Sequence, residues 1–200
     1  MTKRADIRRA IKEGAATRVT CKPPNTKSLT IVMLALNLFN LNVDVWPFRT
    51  QKFAGMLYTD DGTFTIVVNR NHPSHKQIFT MAHEIGHYIL HRDQLTEFLC
   101  NELFASNRRY LEIEANRFAA ELLMPVNEYV IALEACDGHF REVAEHFYVS
   151  EEAARWRCVD LVVDNLGISK NEVIEKIVVP YQQRLNTISK FVQAVNGGFY

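Results

Sequence analysis

The sequence has few cysteines, and none of them form a closely spaced pair. The four cysteines, Cys21, Cys100, Cys136 and Cys158, lie far apart along the chain. Disulfide scaffolds are denser in cysteine, and cysteine-based zinc sites use C-x-x-C pairs. We therefore predict reduced thiols and a cytoplasmic protein.

Long apolar runs and an excess of one charge are also missing. The longest apolar run, residues 31–39, is interrupted by Asn37 and falls short of the roughly 20 residues that span a bilayer. Residues 1–9 are too charged for the start of a signal peptide. The 23 basic and 23 acidic residues cancel, so nothing requires a nucleic acid or an anionic membrane as partner. We expect no membrane segment and no secretion.

Strand patterns occur early in the chain, and helical patterns dominate the rest. Residues 43–46, 53–58 and 64–68 are rich in β-branched and aromatic residues, and residues 60–62 (Asp-Asp-Gly) are typical of a hairpin turn. Helical spacing covers residues 3–15, 26–40, 74–91, 108–123, 126–135, 138–147, 150–165 and 170–195. We predict an α+β fold with a small antiparallel sheet, divided into a domain at 1–135 and a helical C-terminal subdomain at 136–200.

The motif H-E-x-x-H lies on the first helix after the strands. His83 and His87 are four residues apart, so both imidazoles can reach one metal ion from one helix face. Glu84 follows the first histidine, where it can take a proton from a water on the metal. At about 100° per residue, the predicted buried stripe lies away from all three and consists of Ile78, Ala82, Ile85 and Ile89. We predict one zinc ion per chain, with another divalent transition metal as the alternative.

The third protein ligand is less clear from spacing alone. His91 lies about 12 Å along the helix axis from His83, so we expect it to interact with the last-turn carbonyls instead. On the next helix Glu114 sits at the margin of a buried stripe, where it could point into a cleft. Glu121 is two turns away on the same side, and Glu112 is a further alternative. Any one of these glutamates could equally be a solvated surface residue.

The two motifs together resemble the ImmA/IrrE family of metallopeptidases. The resemblance rests on residues 83–87 followed by residues 114–125 (EANRFAAELLMP), and it covers roughly 43–125. It implies a zincin-like fold of the gluzincin type, with the small sheet packed on the H-E-x-x-H helix. By this resemblance His83, His87 and Glu114 are the metal ligands and Glu84 is the catalytic base. Asn116 also matches the family pattern and is a candidate to orient a ligand.

The resemblance further implies a zinc-dependent endopeptidase that cuts a regulatory protein in a prokaryote or phage. The substrate would be a transcriptional regulator, such as a repressor of a mobile element or a stress response. An alternative is a non-catalytic module that binds a partner in a toxin–antitoxin or repressor pair. The intact Glu84 argues against it, because a structural metal site needs no base. Spacing does not separate the candidates for an oxyanion donor, which are Tyr88, Tyr110, His72 and His75.

The C-terminal helices weakly resemble a helix-turn-helix, which makes a DNA-binding regulator a third alternative. Tyr148 stands where the turn glycine usually falls, and the second helix opens with Glu151 and Glu152. Two acids at this position face phosphates unfavourably. We therefore do not expect direct nucleic-acid binding, and we predict that this region helps to position a protein substrate.

Overall fold

Residues 3–21, 27–98 and 105–178 are described in a computed structural model of the chain. Cys100 and the predicted helix beyond residue 178 lie outside them. Two compact units are formed, Met1–Leu123 and Met124–Tyr200. The predicted domain boundary at 135/136 falls within the second unit.

The first unit contains four helices and three strands, and the second contains four helices among the described residues. The first unit consists of α1 (Lys3–Cys21), α2 (Ser28–Leu38), β1 (Asn42–Trp46), β2 (Gly55–Asp60), β3 (Thr63–Asn69), α3 (Ser74–Phe98) and α4 (Ala105–Leu123). The second consists of α5 (Val126–Ala135), α6 (Phe140–Phe147), α7 (Glu151–Leu166) and α8 (Lys170–Val178). No helix of this described part is long and apolar enough to cross a membrane.

The sheet is mixed, with strand order β1-β3-β2. The predicted hairpin is confirmed, because β2 and β3 pair antiparallel around Asp61 and Gly62, which both have positive φ. The prediction of a wholly antiparallel sheet is wrong, because β1 and β3 pair in parallel. The reason is topological: β3 inserts between the two earlier strands instead of adding outside β2. Its β-branched run, Ile66 to Val68, is accordingly buried in the centre of the sheet.

Helices α3 and α4 pack closely against each other and carry the residues of the candidate site. The stripe predicted on α3 is buried at Ile78, Ala82 and Ile85 and half-buried at Ile89, and α4 buries Ala115 and Phe118. The closest approach is at Gly86. A Cβ there would lie 3.0 Å from Phe118 Cδ1 and 3.2 Å from both Cα and O of Ala115.

Gly86→Ala is therefore expected to destabilise the protein, although alanine favours helices. Alanine gains about 0.5–1 kcal/mol over glycine inside a helix, whereas overpacking a tight contact costs about 1–3 kcal/mol. The contact with the Ala115 backbone cannot relax by a rotamer change, so the second effect dominates. Urea unfolding measures the difference, with Asn37→Ala at an exposed position of α2 as the control for helix propensity. A Gly86→Ala protein as stable as the wild type would contradict this packing.

Candidate active site

Two histidines of α3 and one glutamate of α4 converge at a single point. The Nε2 atoms of His83 and His87 are 3.0 Å apart. Glu112 lies across from them, with Oε2 3.2 Å from His83 Nε2 and Oε1 3.4 Å from His87 Nε2. One potential ligand atom from each residue lies within 4.8 Å of the others. Two imidazoles and a carboxylate are a donor set that suits zinc and leaves a fourth position open.

Glu114, the third ligand implied by the family resemblance, does not reach this point. Its Oε2 lies 2.9 Å from His91 Nε2. Glu112 was an alternative that spacing left open, and the geometry favours it. A signal for it was present in the sequence: Glu112 and Asn116 are four residues apart, which places both on the same face of α4.

Asn116 orients the first histidine of the motif. Its Oδ1 is 2.9 Å from His83 Nδ1. An amide oxygen can only accept, so Nδ1 carries the hydrogen and Nε2 is left for a metal. Partners of this kind hold the tautomer and ring orientation of metal-binding histidines. The orienting contact considered for Asn116 is therefore present.

His91 lies inside α3, so the prediction that it interacts with last-turn carbonyls is wrong. The helix continues to Phe98, and no glycine or proline interrupts it between His91 and that residue. The His91 ring is almost fully buried, and its Nδ1 lies 3.0 Å from His87 Nδ1. Burial, followed by the nearby charge of His87, lowers the pKa of His91 to about 4. A neutral ring at this position can accept a hydrogen bond from His87.

Glu84 lies beside the histidines and faces β2. Burial raises the pKa of its carboxyl group, while His83, His87 and a hydrogen bond from the Leu57 backbone N–H act in the opposite direction. A carboxylate with a raised pKa is better matched to proton transfer near neutral pH than an ordinary glutamate.

The electrostatics of the site favour positive charge between the three converging groups. Hydrogen bonds from His83 and His87 hold the pKa of Glu112 well below its usual range. Burial opposes protonation of His83, but the hydrogen bond to Glu112 and the charge of Glu84 outweigh it, so the pKa of His83 is raised. A divalent cation would supply this positive charge and displace the protons from the two histidine Nε2 atoms.

The site opens into a cleft of about 740 Å³ between β2 and α3. The Asn69 N–H donates to the carbonyl of Ala54, and in antiparallel pairing alternate residues bond the neighbouring strand. The N–H and C=O groups of Gly55, Leu57 and Thr59 therefore turn to the free edge of β2, along the cleft. Gly55 permits the close approach to α3, since a Cβ there would lie 2.5 Å from Thr80 Cγ2.

None of the four candidate oxyanion donors lines this cleft, and all four belong to the described part of the chain. His72 is buried, and its Nε2 lies 3.1 Å from the carbonyl of Phe53, just before β2. Tyr88 packs against the rings of Phe39 and Phe64. These two side chains therefore stabilise the sheet and its flanking loop.

Comparisons with known proteins identify the family of the chain and two relatives. Residues 40–159 match the family model described as Peptidase M78, the IrrE N-terminal-like domain. The chain is 36% identical over 86 residues (43% of this chain, 53% of the relative) to "Uncharacterized immunity region protein 2" of Bacillus phage phi105. It is 32% identical over 96 residues (48% and 56%) to "Metallopeptidase ImmA" of Bacillus subtilis (strain 168). The chain thus spans about half the length of these relatives. Because the family model covers more than half of the chain, the protein belongs to the ImmA/IrrE family of metallopeptidases.

Proposed function

We propose that the protein is a zinc-dependent endopeptidase that cuts a regulatory protein, with His83, His87 and Glu112 as the metal ligands. The observation that carries the proposal is the convergence of the two Nε2 atoms and the Glu112 carboxylate, with Glu84 beside them. Family membership supports a metal-dependent peptidase. Glu112 replaces Glu114 in the predicted ligand set because its carboxylate lies beside both Nε2 atoms, whereas that of Glu114 contacts His91.

In this proposal α3 provides the catalytic base of hydrolysis, and β2 holds that base in place. Zinc, when bound, would lower the pKa of a water molecule and polarise the scissile carbonyl. Glu84 accepts the proton of the attacking water and passes it to the leaving amine. The Leu57 N–H bonded to Glu84 holds that carboxylate at the edge of the cleft.

An extended segment of the substrate would add to the free edge of β2. The backbone groups of Gly55 and Thr59 and the carbonyl of Leu57 offer such a segment the hydrogen bonds of a further strand, while the Leu57 N–H is bonded to Glu84. The cleft also presents the rings of Phe53 and Phe79 to its side chains. One relative's name places it in an immunity region and the other's calls it a metallopeptidase, which favours a repressor as the substrate.

The test is an incubation of the purified zinc-loaded protein with repressors encoded beside its own gene. Intact-mass spectrometry should find two fragments that sum to the substrate plus one water, and chelation should prevent their appearance. Readdition of zinc should restore cleavage. If no neighbouring repressor is cut by the zinc-loaded protein, a regulator as substrate is excluded for that locus. Stoichiometric zinc binding without cleavage would favour the non-catalytic binding module.

The second unit has the outline of a helix-turn-helix, but both arginines of its helix α7 have acceptors within the protein. Tyr148 ends α6 in the left-handed conformation (φ 54°), and Ser150 caps α7. Arg155 pairs with Glu151 at 2.6 Å. Arg157 is buried and donates from Nε to the carbonyl of Met124. These contacts support a packed helical unit over a DNA reader.

We therefore expect no sequence-specific binding of the protein to the operator DNA of its own locus. Specific binding needs several cationic contacts with phosphates and weakens steeply with salt. A fluorescence titration at low and at physiological salt tests this, with scrambled DNA as the control. Specific binding that persists at physiological salt and is lost in Arg155→Ala would establish the DNA-binding alternative.

A further inference from the structure

A chain of hydrogen-bonding side chains extends from His87 on the side away from Glu112. His87 Nδ1 lies 3.0 Å from His91 Nδ1. The opposite nitrogen of His91, Nε2, lies 2.9 Å from Glu114 Oε2. The His91 ring is only 2% exposed, so bulk water does not satisfy these atoms. The three side chains thus link the metal-facing histidine to a carboxylate on α4.

Once His87 Nε2 faces a metal, only one placement of the ring hydrogens on His87 and His91 gives each contact a donor and an acceptor. A metal-bound Nε2 has no hydrogen, so His87 Nδ1 carries it and donates. His91 Nδ1 must then accept, which leaves the hydrogen of the neutral His91 ring on Nε2. That group donates to the Glu114 carboxylate, which only accepts. Every contact in the chain then has one donor and one acceptor.

We infer that His91 and Glu114 are positioning residues, which fix the tautomer and ring orientation of His87 so that its Nε2 is presented to the metal. The inference rests on the proposed function. It gives His87 on α3 a partner comparable to the one that Asn116 gives His83. Outer-shell partners of this kind typically change metal affinity by about 10- to 100-fold when they are removed.

Variants at Glu114 and His91 distinguish a positioning role of these side chains from a packing role. Glu114→Gln keeps the shape of the side chain and an oxygen that accepts from His91 Nε2–H. Glu114→Leu has a similar size and no acceptor. His91→Phe removes the acceptor next to His87 and keeps a buried ring. His75→Phe, on the same helix and away from the cleft, is the matched control.

The measurements are the zinc dissociation constant, by competition with a chromophoric chelator, and the visible spectrum of the cobalt-substituted protein. Thermal unfolding of the metal-free form is recorded for each variant, so that affinities are compared among folded proteins. Glu114→Leu and His91→Phe should bind zinc about 10- to 100-fold more weakly than the wild type and shift the cobalt bands. Glu114→Gln and His75→Phe should remain close to the wild type in both.

Three other results would overturn the inference. If both Glu114→Leu and His91→Phe keep the wild-type zinc affinity and cobalt spectrum, the contacts between His87, His91 and Glu114 contribute only to packing. A loss of zinc in Glu114→Gln as complete as in Glu112→Gln would make Glu114 a ligand instead. Failure of the wild type itself to bind zinc would reject the proposed zinc-dependent activity together with the inference, whereas the other two results leave that activity in place.

Discussion

Glu112→Gln is expected to remove most of the zinc from the purified protein. Two neutral imidazoles alone leave the ion without the negative charge and the third donor that the Glu112 carboxylate provides. The affinity loss should exceed the roughly 10- to 100-fold effect typical of an outer-shell partner. Metal content by mass spectrometry after dialysis, and the dissociation constant by chelator competition, measure it. His83→Ala and His87→Ala should lose zinc to a comparable degree.

Glu114→Gln is the matched comparison, because it makes the same chemical change two residues along the same helix. It should keep zinc, since the Glu114 side chain contacts His91 and does not face the two Nε2 atoms. The reverse pattern, with zinc lost in Glu114→Gln and kept in Glu112→Gln, would restore the ligand set that the family resemblance implies. Equally complete loss of zinc in both variants would mean that Glu114 is a ligand as well.

Glu84→Gln is expected to keep its zinc and lose cleavage by about 10²- to 10⁴-fold, the usual contribution of a general base. The amide oxygen can still accept the hydrogen bond from Leu57 N–H, so the fold should persist, but it cannot take the proton of the attacking water. The rate of fragment formation under single-turnover conditions measures the loss. Glu134→Gln, at an exposed position of α5, is the control. Cleavage by Glu84→Gln at the wild-type rate would remove the proposed mechanism.

The same substitution should not destabilise the metal-free protein at pH 8. Burial raises the pKa of Glu84 in the folded state, so the stability associated with this group is present at low pH. It is lost as the pH rises through the folded-state pKa, because the buried carboxylate must then ionise. The neutral glutamine avoids that cost. The difference in melting temperature, Glu84→Gln minus wild type, should therefore be more positive at pH 8 than at pH 4.

Local patterns were sufficient for most of the helices and strands. The apolar periodicity of α3 and α4 indicated their buried faces, and the Asp-Gly turn indicated the β2–β3 hairpin, because both signals come from residues close in sequence. The end of α3 was missed because the polar residues 92–94 interrupt the apolar pattern, whereas the helix continues to Phe98. The position of β3 between β1 and β2 was missed as well, because alternation along a strand does not specify its neighbours.

The sequence by itself determined which side chains of α3 come together at the candidate site. His83, Glu84 and His87 lie on one side of α3 whatever surrounds it, because four residues make about one helical turn. Only the tertiary structure decided which glutamate of α4 meets them. Gly86 and Ala115 set how closely the two helices pack, and that contact turns Glu112 and Asn116 towards the histidine pair. Glu114, two residues further and about 200° around the helix, is turned towards His91 instead, so its role depends on a contact between helices that spacing within one helix cannot show.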